Sequence, residues 1–272
     1  MTGTPFIGLY PFQWLGLLAA ALALLLVADA LSGHYRSGFV SRAQYAPFVS
    51  GGLLIASAVA ASIAPNVSWT NKALGAAGWL AVVSGAVGFG FHHYYGIVRK
   101  PGGYKWLLHY LMYGAPQLAP LALAGVGVLA LIAGRGLMGQ TSFAGAGMRP
   151  ALLAFMSVML AGAILQAGIL HYRGAFNNPA MYAPLAAPLL AAFVGAWAAV
   201  APGRWTLLAL AILLWLTFLT GFVGLGMHLR GLGRQMGGLY VALFNWLEGP
   251  PAFAPALFAG LAAIGLVAIH LL

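Results

Sequence analysis

Eight uninterrupted apolar runs leave this chain almost no choice of fold: about 12–33, 47–64, 73–91, 116–134, 150–170, 183–201, 205–227 and 252–271. Each is close to the ~20 residues that a helix needs to cross the hydrocarbon of a bilayer. The runs are continuous and not alternating, so they predict helices and not the strands of a membrane barrel. In lipid a spanning segment must satisfy its own backbone hydrogen bonds, and a helix does so within the segment. Charged residues make up 5% of the chain and hydrophobic ones 62%, against ~25% charged in a soluble domain. The expectation is an all-α integral membrane protein with eight transmembrane helices and no extramembrane domain. The opening residues, MTGTPFIGLYPFQW, carry no positive n-region of a cleavable signal.

The chain also repeats itself. HYRSGFVSRAQYAP at 34–47 returns as HYRGAFNNPAMYAP at 171–184, with 8 of 14 positions identical. The segment opening at His93 returns at His228, and the match runs without a gap to Gly125 and Gly260 with 12 of 33 identical. Shared His, Arg, Gly and Pro are not explained by apolar composition. The match predicts a tandem duplication of two four-helix units, 1–137 and 138–272, joined by the Gly/Ser-rich connection at 135–149. Sites at a pseudo-two-fold axis come in pairs.

A weaker repetition runs inside each half. Helices one, three, five and seven end in histidine: His34, His92/His93, His171 and His228. An Ala-Pro or Pro-Pro step then opens the next helix, at Pro47, Pro116, Pro184 and Pro251, where the missing proline N–H is not needed. Four helical hairpins follow, with all four His loops on one face of the membrane. Segments 103–113 and 238–248, aromatic and flanked by glycines, read as short helices lying in the interface with Trp106 and Trp246 at head-group depth. The His face carries eight of the twelve Lys and Arg residues. That bias predicts a multi-pass protein of a bacterial-type inner (cytoplasmic) membrane with the His/Arg face cytoplasmic and both termini opposite. The net charge of +10 sits in short membrane-boundary loops, which suits orientation and anionic lipid contact, not nucleic acid.

The element His-x-Arg recurs at His34/Arg36, His171/Arg173 and His228/Arg230. Anchoring alone puts Arg, Tyr and Trp at the boundary, but it does not require one order at equivalent depth. The pairs His34 with His171, and His93 with His228, could face each other across the axis. They would hold haem b through opposed imidazoles, with Arg on the propionates, hold a metal, or donate hydrogen bonds to a quinone carbonyl. Asp29, one of two acids in the chain with Glu248, lies five residues before His34, where it could orient that imidazole or take its proton. A carboxylate inside a span usually faces a partner or a cavity.

Other chemistry falls away. No cysteine is present, which excludes disulfides, thiolate metal sites and Cys-ligated clusters within the chain. The spans lack the carboxylate chains of a multi-site proton pump and the mid-span lysine of a retinal protein, and no Walker loop occurs. In architecture alone, two four-helix bundles, the chain is similar to the quinone-reactive membrane subunits of the polysulfide-reductase family, with no shared motif and no residue carried over. The expected function is that of a membrane subunit of a respiratory or related redox complex. It would be surrounded by lipid, dock other subunits on the His/Arg face and offer a quinone or haem site there, whether or not it is itself an enzyme. The alternative is a transporter or channel for an anionic small solute.

Overall fold

The computed structural model describes residues 5–249 and 251–270. The protein is almost wholly helical. In chain order the helices are α1 (Pro11–Arg36), α2 (Ala46–Ile63), α3 (Ser68–His93), α4 (Leu107–Tyr113), α5 (Ala119–Leu137), α6 (Met148–Arg173), α7 (Ala183–Val200), α8 (Arg204–Gly233), α9 (Ala242–Glu248) and α10 (Ala254–His270). Seven of them, α1, α2, α3 and α5–α8, are long and apolar enough to cross a membrane. α10 is a 17-residue apolar helix, about 26 Å long at 1.5 Å per residue, packed against α1, α6 and α8.

Proline opens the second helix of the hairpin at Pro47 and Pro184 as the sequence suggests, but α5 and α10 begin at Ala119 and Ala254, past Pro116 and Pro251, and Pro120 takes the first turn of α5. Pro11, Pro47, Pro120 and Pro184 stand in the first turns of α1, α2, α5 and α7. Each loop between α1 and α2, or α6 and α7, turns through left-handed backbone at Gly38 and Phe39 or at Ala175 and Phe176. A side chain then caps the following 3-10 turn: Ser41 Oγ accepts from the Ala43 N–H at 3.3 Å, and Asn178 Oδ1 accepts from the Ala180 N–H at 3.0 Å. The connection at 135–149 holds a small hairpin, Ser142–Phe143 against Ala146–Gly147, turning at Ala144 and Gly145, both with positive φ.

The packing is that of a helical bundle in lipid. The core is Leu and Ala with few large rings: Leu15, Leu22, Leu129, Leu152, Leu210 and Leu261 are all buried. Large side chains point outward instead, among them Trp79, Phe193, Trp197 and Trp205. Without a hydrophobic driving force between helices, close backbone approach at small residues holds a bundle together. A Cβ on Gly85 of α3 would lie 2.5 Å from the Pro120 carbonyl oxygen of α5. A Cβ on Gly221 of α8 would lie 2.6 Å from the Ala259 nitrogen of α10.

The two short helices occur where the aromatic segments predict them, each as a 3-10 turn running into one α turn or two. Gly103–Trp106 leads into α4, and Gly238–Val241 leads into α9. Gly102 and Gly237 precede them at φ 76° and 79°. Trp106 is 62% exposed. Trp246 differs from expectation, because it is half-buried and meets Phe253 edge-on at 5.9 Å.

Candidate functional site

Helices α1, α3, α6 and α8 bring four imidazoles to the same end of the bundle, and all four are held in one way. His34 Nδ1 donates to the Gln44 carbonyl at 2.8 Å and His171 Nδ1 to the Met181 carbonyl at 2.8 Å. His92 Nδ1 donates to the Pro116 carbonyl at 2.9 Å and His228 Nδ1 to the Pro251 carbonyl at 3.0 Å. A carbonyl only accepts, so Nδ1 carries the proton and the neutral ring keeps its lone pair on Nε2. Each bond ties the end of one helix to the start of its neighbour. The first role of each histidine is therefore to clasp a hairpin.

The pairing differs from the sequence expectation. It is His92, not His93, that holds the place of His228. α3 continues into a π-helical turn, Tyr94–Val98, whereas α8 runs as unbroken α-helix to Gly233. A π turn absorbs one extra residue in a helix. Before it the two halves align His92 on His228: Gly85-x-Val87-Gly88-x-Gly90-x-His92 against Gly221-x-Val223-Gly224-x-Gly226-x-His228. After it the register has slipped by one, and Gly102 and Gly103 align with Gly237 and Gly238. The glycine run was the sequence signal for this register, and a gapless match begun at His93 misses it. His93 itself turns to Tyr104, its Nε2 2.6 Å from the hydroxyl, and stacks on Phe89.

Among the described residues the one contact between two imidazole rings joins His34 to His92, both in the first half. His34 and His92 lie 6.4 Å apart between ring centroids, inclined at 46°. His171 and His228 are close enough to influence each other electrostatically, with no ring contact between them among the described residues. Among the described residues no ring contact joins His34 to His171 or His93 to His228. Aromatic walls recur: His34 meets Phe39 edge-on at 6.1 Å and His171 meets Phe176 at 6.2 Å. Phe39 stacks on Tyr45 and Phe176 on Tyr182. Among the described residues no group of three or more His, Asp or Glu side chains forms a metal cage.

The arginines part company. Arg36 donates to the Gly249 carbonyl at 3.1 Å, reaching from α1 to the end of α9. Arg173 instead lies over the Tyr113 ring at 5.2 Å, reaching from α6 to the end of α4. Arg230 is exposed. Asp29 does not orient His34. Five residues along a helix rotate a side chain by about 140° net, and the His34 ring is held by the Gln44 carbonyl instead. The Asp29 Oδ1 is buried without a partner among the described residues. In the other half Gln166 stands at the corresponding place, its Oε1 accepting from the Leu118 N–H at 3.3 Å.

Clefts indent the described surface at both ends of the bundle. One, of about 440 Å³, is lined by Met112, Tyr113, Tyr172, Arg173, Phe176 and Tyr182 on the His face. Another, of about 380 Å³, lies at the opposite end around Phe12, Arg149 and Pro202. No protein-family model matches the chain, and neither a curated protein nor a solved structure matches it.

Proposed function

We propose that the chain crosses the membrane eight times as two repeated four-helix units. We further propose that it serves as the membrane-integral subunit of a redox complex, with the two imidazole pairs on the His/Arg face as its quinone or haem sites. α10, at 17 residues, is at the short end of what spans a bilayer, and its counterpart α5 supports counting it. The recurrence of the His clasps, the stacked Phe–Tyr pairs and the left-handed loop residues supports the duplication.

One observation carries the functional reading. All four imidazoles have Nδ1 committed to a backbone carbonyl and, among the described residues, Nε2 without a partner. That is the arrangement by which proteins orient metal-ligating histidines. Two imidazoles binding one iron from opposite sides have centroids roughly 6–6.5 Å apart, given metal–nitrogen bonds of about 2 Å, and His34 and His92 are 6.4 Å apart. The same lone pair fits a hydroquinone, whose O–H it can accept. It does not fit a neutral donor to a quinone carbonyl, so the quinone reading is one of proton acceptance from the reduced form. The faces of Phe39 and Phe176 give a flat ring its apolar walls. A docking partner would supply or remove the electrons.

The test is to purify the chain from native membranes in mild detergent and record a visible spectrum, a subunit gel and binding of a hydroquinone analogue. Co-purifying subunits with a Soret band, or with analogue binding lost in His34→Ala and His171→Ala, support the reading. A colourless chain that purifies alone, ignores the analogue and moves an anion across liposomes contradicts it and favours transport.

A further inference from the structure

The two halves end differently on the His/Arg face. Arg36 spends its guanidinium on the Gly249 carbonyl. Arg173 holds the same place in the second copy, where the His-Tyr-Arg of 34–36 returns at 171–173. The corresponding acceptor is the Gly114 carbonyl, because GGYKWLLHYLMYG, ending at Gly114, aligns with GGLYVALFNWLEG, ending at Gly249. Arg173 does not take it. It lies over the ring of Tyr113, and Tyr113 stands where the other half has Glu248. Among the described residues the Arg173 guanidinium meets this ring and no hydrogen-bond acceptor.

We propose that the cleft between α4 and the α6–α7 loop is a binding site for the phosphate group of an anionic amphiphile, with Arg173 as its anchor. The site is independent of the redox reading. A guanidinium has a planar fork of donors that matches two phosphate oxygens. A cation–π contact fixes the plane of the fork without using its N–H groups. The hydroxyls of Tyr113, Tyr172 and Tyr182, all exposed on the rim of the cleft, add donors around the same space. No carboxylate lines this cleft among the described residues: Glu248 is at the equivalent place in the other half, and Asp29 lies in α1. The cleft opens where the apolar surface of α6 ends, so a head group seated there leaves its chains beside the exposed Leu165 and Val158. The stacked Phe176–Tyr182 pair, 4.5 Å between centroids, gives the glycerol region an apolar wall. In the other half Glu248 would repel a phosphate and Arg36 is already engaged, so the duplication has left one site and not two.

The test uses the full chain in neutral detergent with dioctanoyl phosphatidylglycerol, dioctanoyl phosphatidylcholine and inorganic phosphate as probes, binding being read by native mass spectrometry and by thermal shift. Phosphatidylglycerol is expected to bind the parent at one site per chain. Arg173→Gln and Tyr113→Glu are each expected to weaken it about tenfold or more. Arg36→Gln should leave that affinity unchanged. All three residues are exposed, and the melting temperatures without ligand report whether the variants fold. Tighter binding of the glycerolipid than of inorganic phosphate identifies a lipid site; equal binding that still needs Arg173 identifies a free-phosphate site of the same chemistry. If the parent binds none of the anionic probes, if Arg173→Gln and Tyr113→Glu keep the parent affinity, or if Arg36→Gln loses as much as Arg173→Gln, the proposal is overturned.

Discussion

The first half of the molecule and the second share the parts that close their loops and differ in a helix turn and at two charged positions. Both fasten a helix-end histidine to a carbonyl ten residues on, stack a Phe on a Tyr in the loop, and pack a glycine of the third helix against the fourth. They differ at one inserted residue in α3, at Tyr113 against Glu248, and at Asp29 against Gln166. What is common is what a hairpin needs to close in lipid. What differs is a helix turn, the charge at the end of the short helix, and a carboxylate in place of an amide. Under the proposed duplication, comparing the halves separates what closes a hairpin from what could form a site.

The largest effect should come from the close helix contacts. Gly85→Leu and Gly221→Leu each drive a side chain into a neighbouring helix backbone. Both are expected to cost ~3 kcal/mol or more, read as a collapse of the melting temperature in detergent. Gly90→Ala and Gly226→Ala, where nothing lies within 4 Å, should be neutral or stabilise by up to ~1 kcal/mol. A large difference between the two members of either pair would break the equivalence of the halves.

The clasps come next. His34→Ala, His92→Ala, His171→Ala and His228→Ala each leave a carbonyl short of a donor, at about 1–3 kcal/mol. His93→Ala, which loses one hydrogen bond to the exposed Tyr104 and leaves no carbonyl unpaired, should cost less, about 0.5–1 kcal/mol. Thermal melts of the five variants decide whether His92 or His93 is the equivalent of His228. A ¹⁵N spectrum of histidine-labelled protein in lipid should show Nδ1 protonated and Nε2 bare in those four rings.

Deleting His93 should remove the π turn and give α3 the register of α8. The expected penalty is below ~1 kcal/mol, because the extra residue carries no clasp. Deleting Leu229 from α8, which has no such turn, should shift His228 or everything after it and cost several times more. The smallest effect belongs to Arg36→Lys. One hydrogen bond to the Gly249 carbonyl can be made by an ammonium as well, so the melting temperature should move by no more than ~0.5 kcal/mol equivalent.

Much of this was legible in the sequence because lipid enforces simple rules. Seven of the apolar runs appear as long helices, and the glycine-flanked aromatic segments appear as short ones. The histidine loops gather at one end because two helices separate each from the next. What escaped was anything set by register or by facing direction. The pairing of His34 with His92 depends on α1 and α3 being neighbours at that end, which no pattern of runs encodes. The place of His93 turns on one inserted residue, visible only once the Gly85–His92 run is laid on Gly221–His228. Asp29 is close to His34 in sequence and far from it around the helix. Tyr113 looked like one more interfacial aromatic, since nothing in the sequence brings α4 to the end of α6.

The duplication with like-facing halves is the claim on which the rest stands, and the absence of native cysteine makes it directly measurable. Single cysteines at Val40, Lys100, Asn177 and Met236, all exposed, mark the four histidine loops, and Asn66→Cys and Gln140→Cys mark the other end. A membrane-impermeant maleimide added to sealed vesicles of one orientation should label the first four from one side only and the last two from the other. Labelling of Val40→Cys and Asn177→Cys from opposite sides would contradict the duplication as drawn and take the paired sites with it.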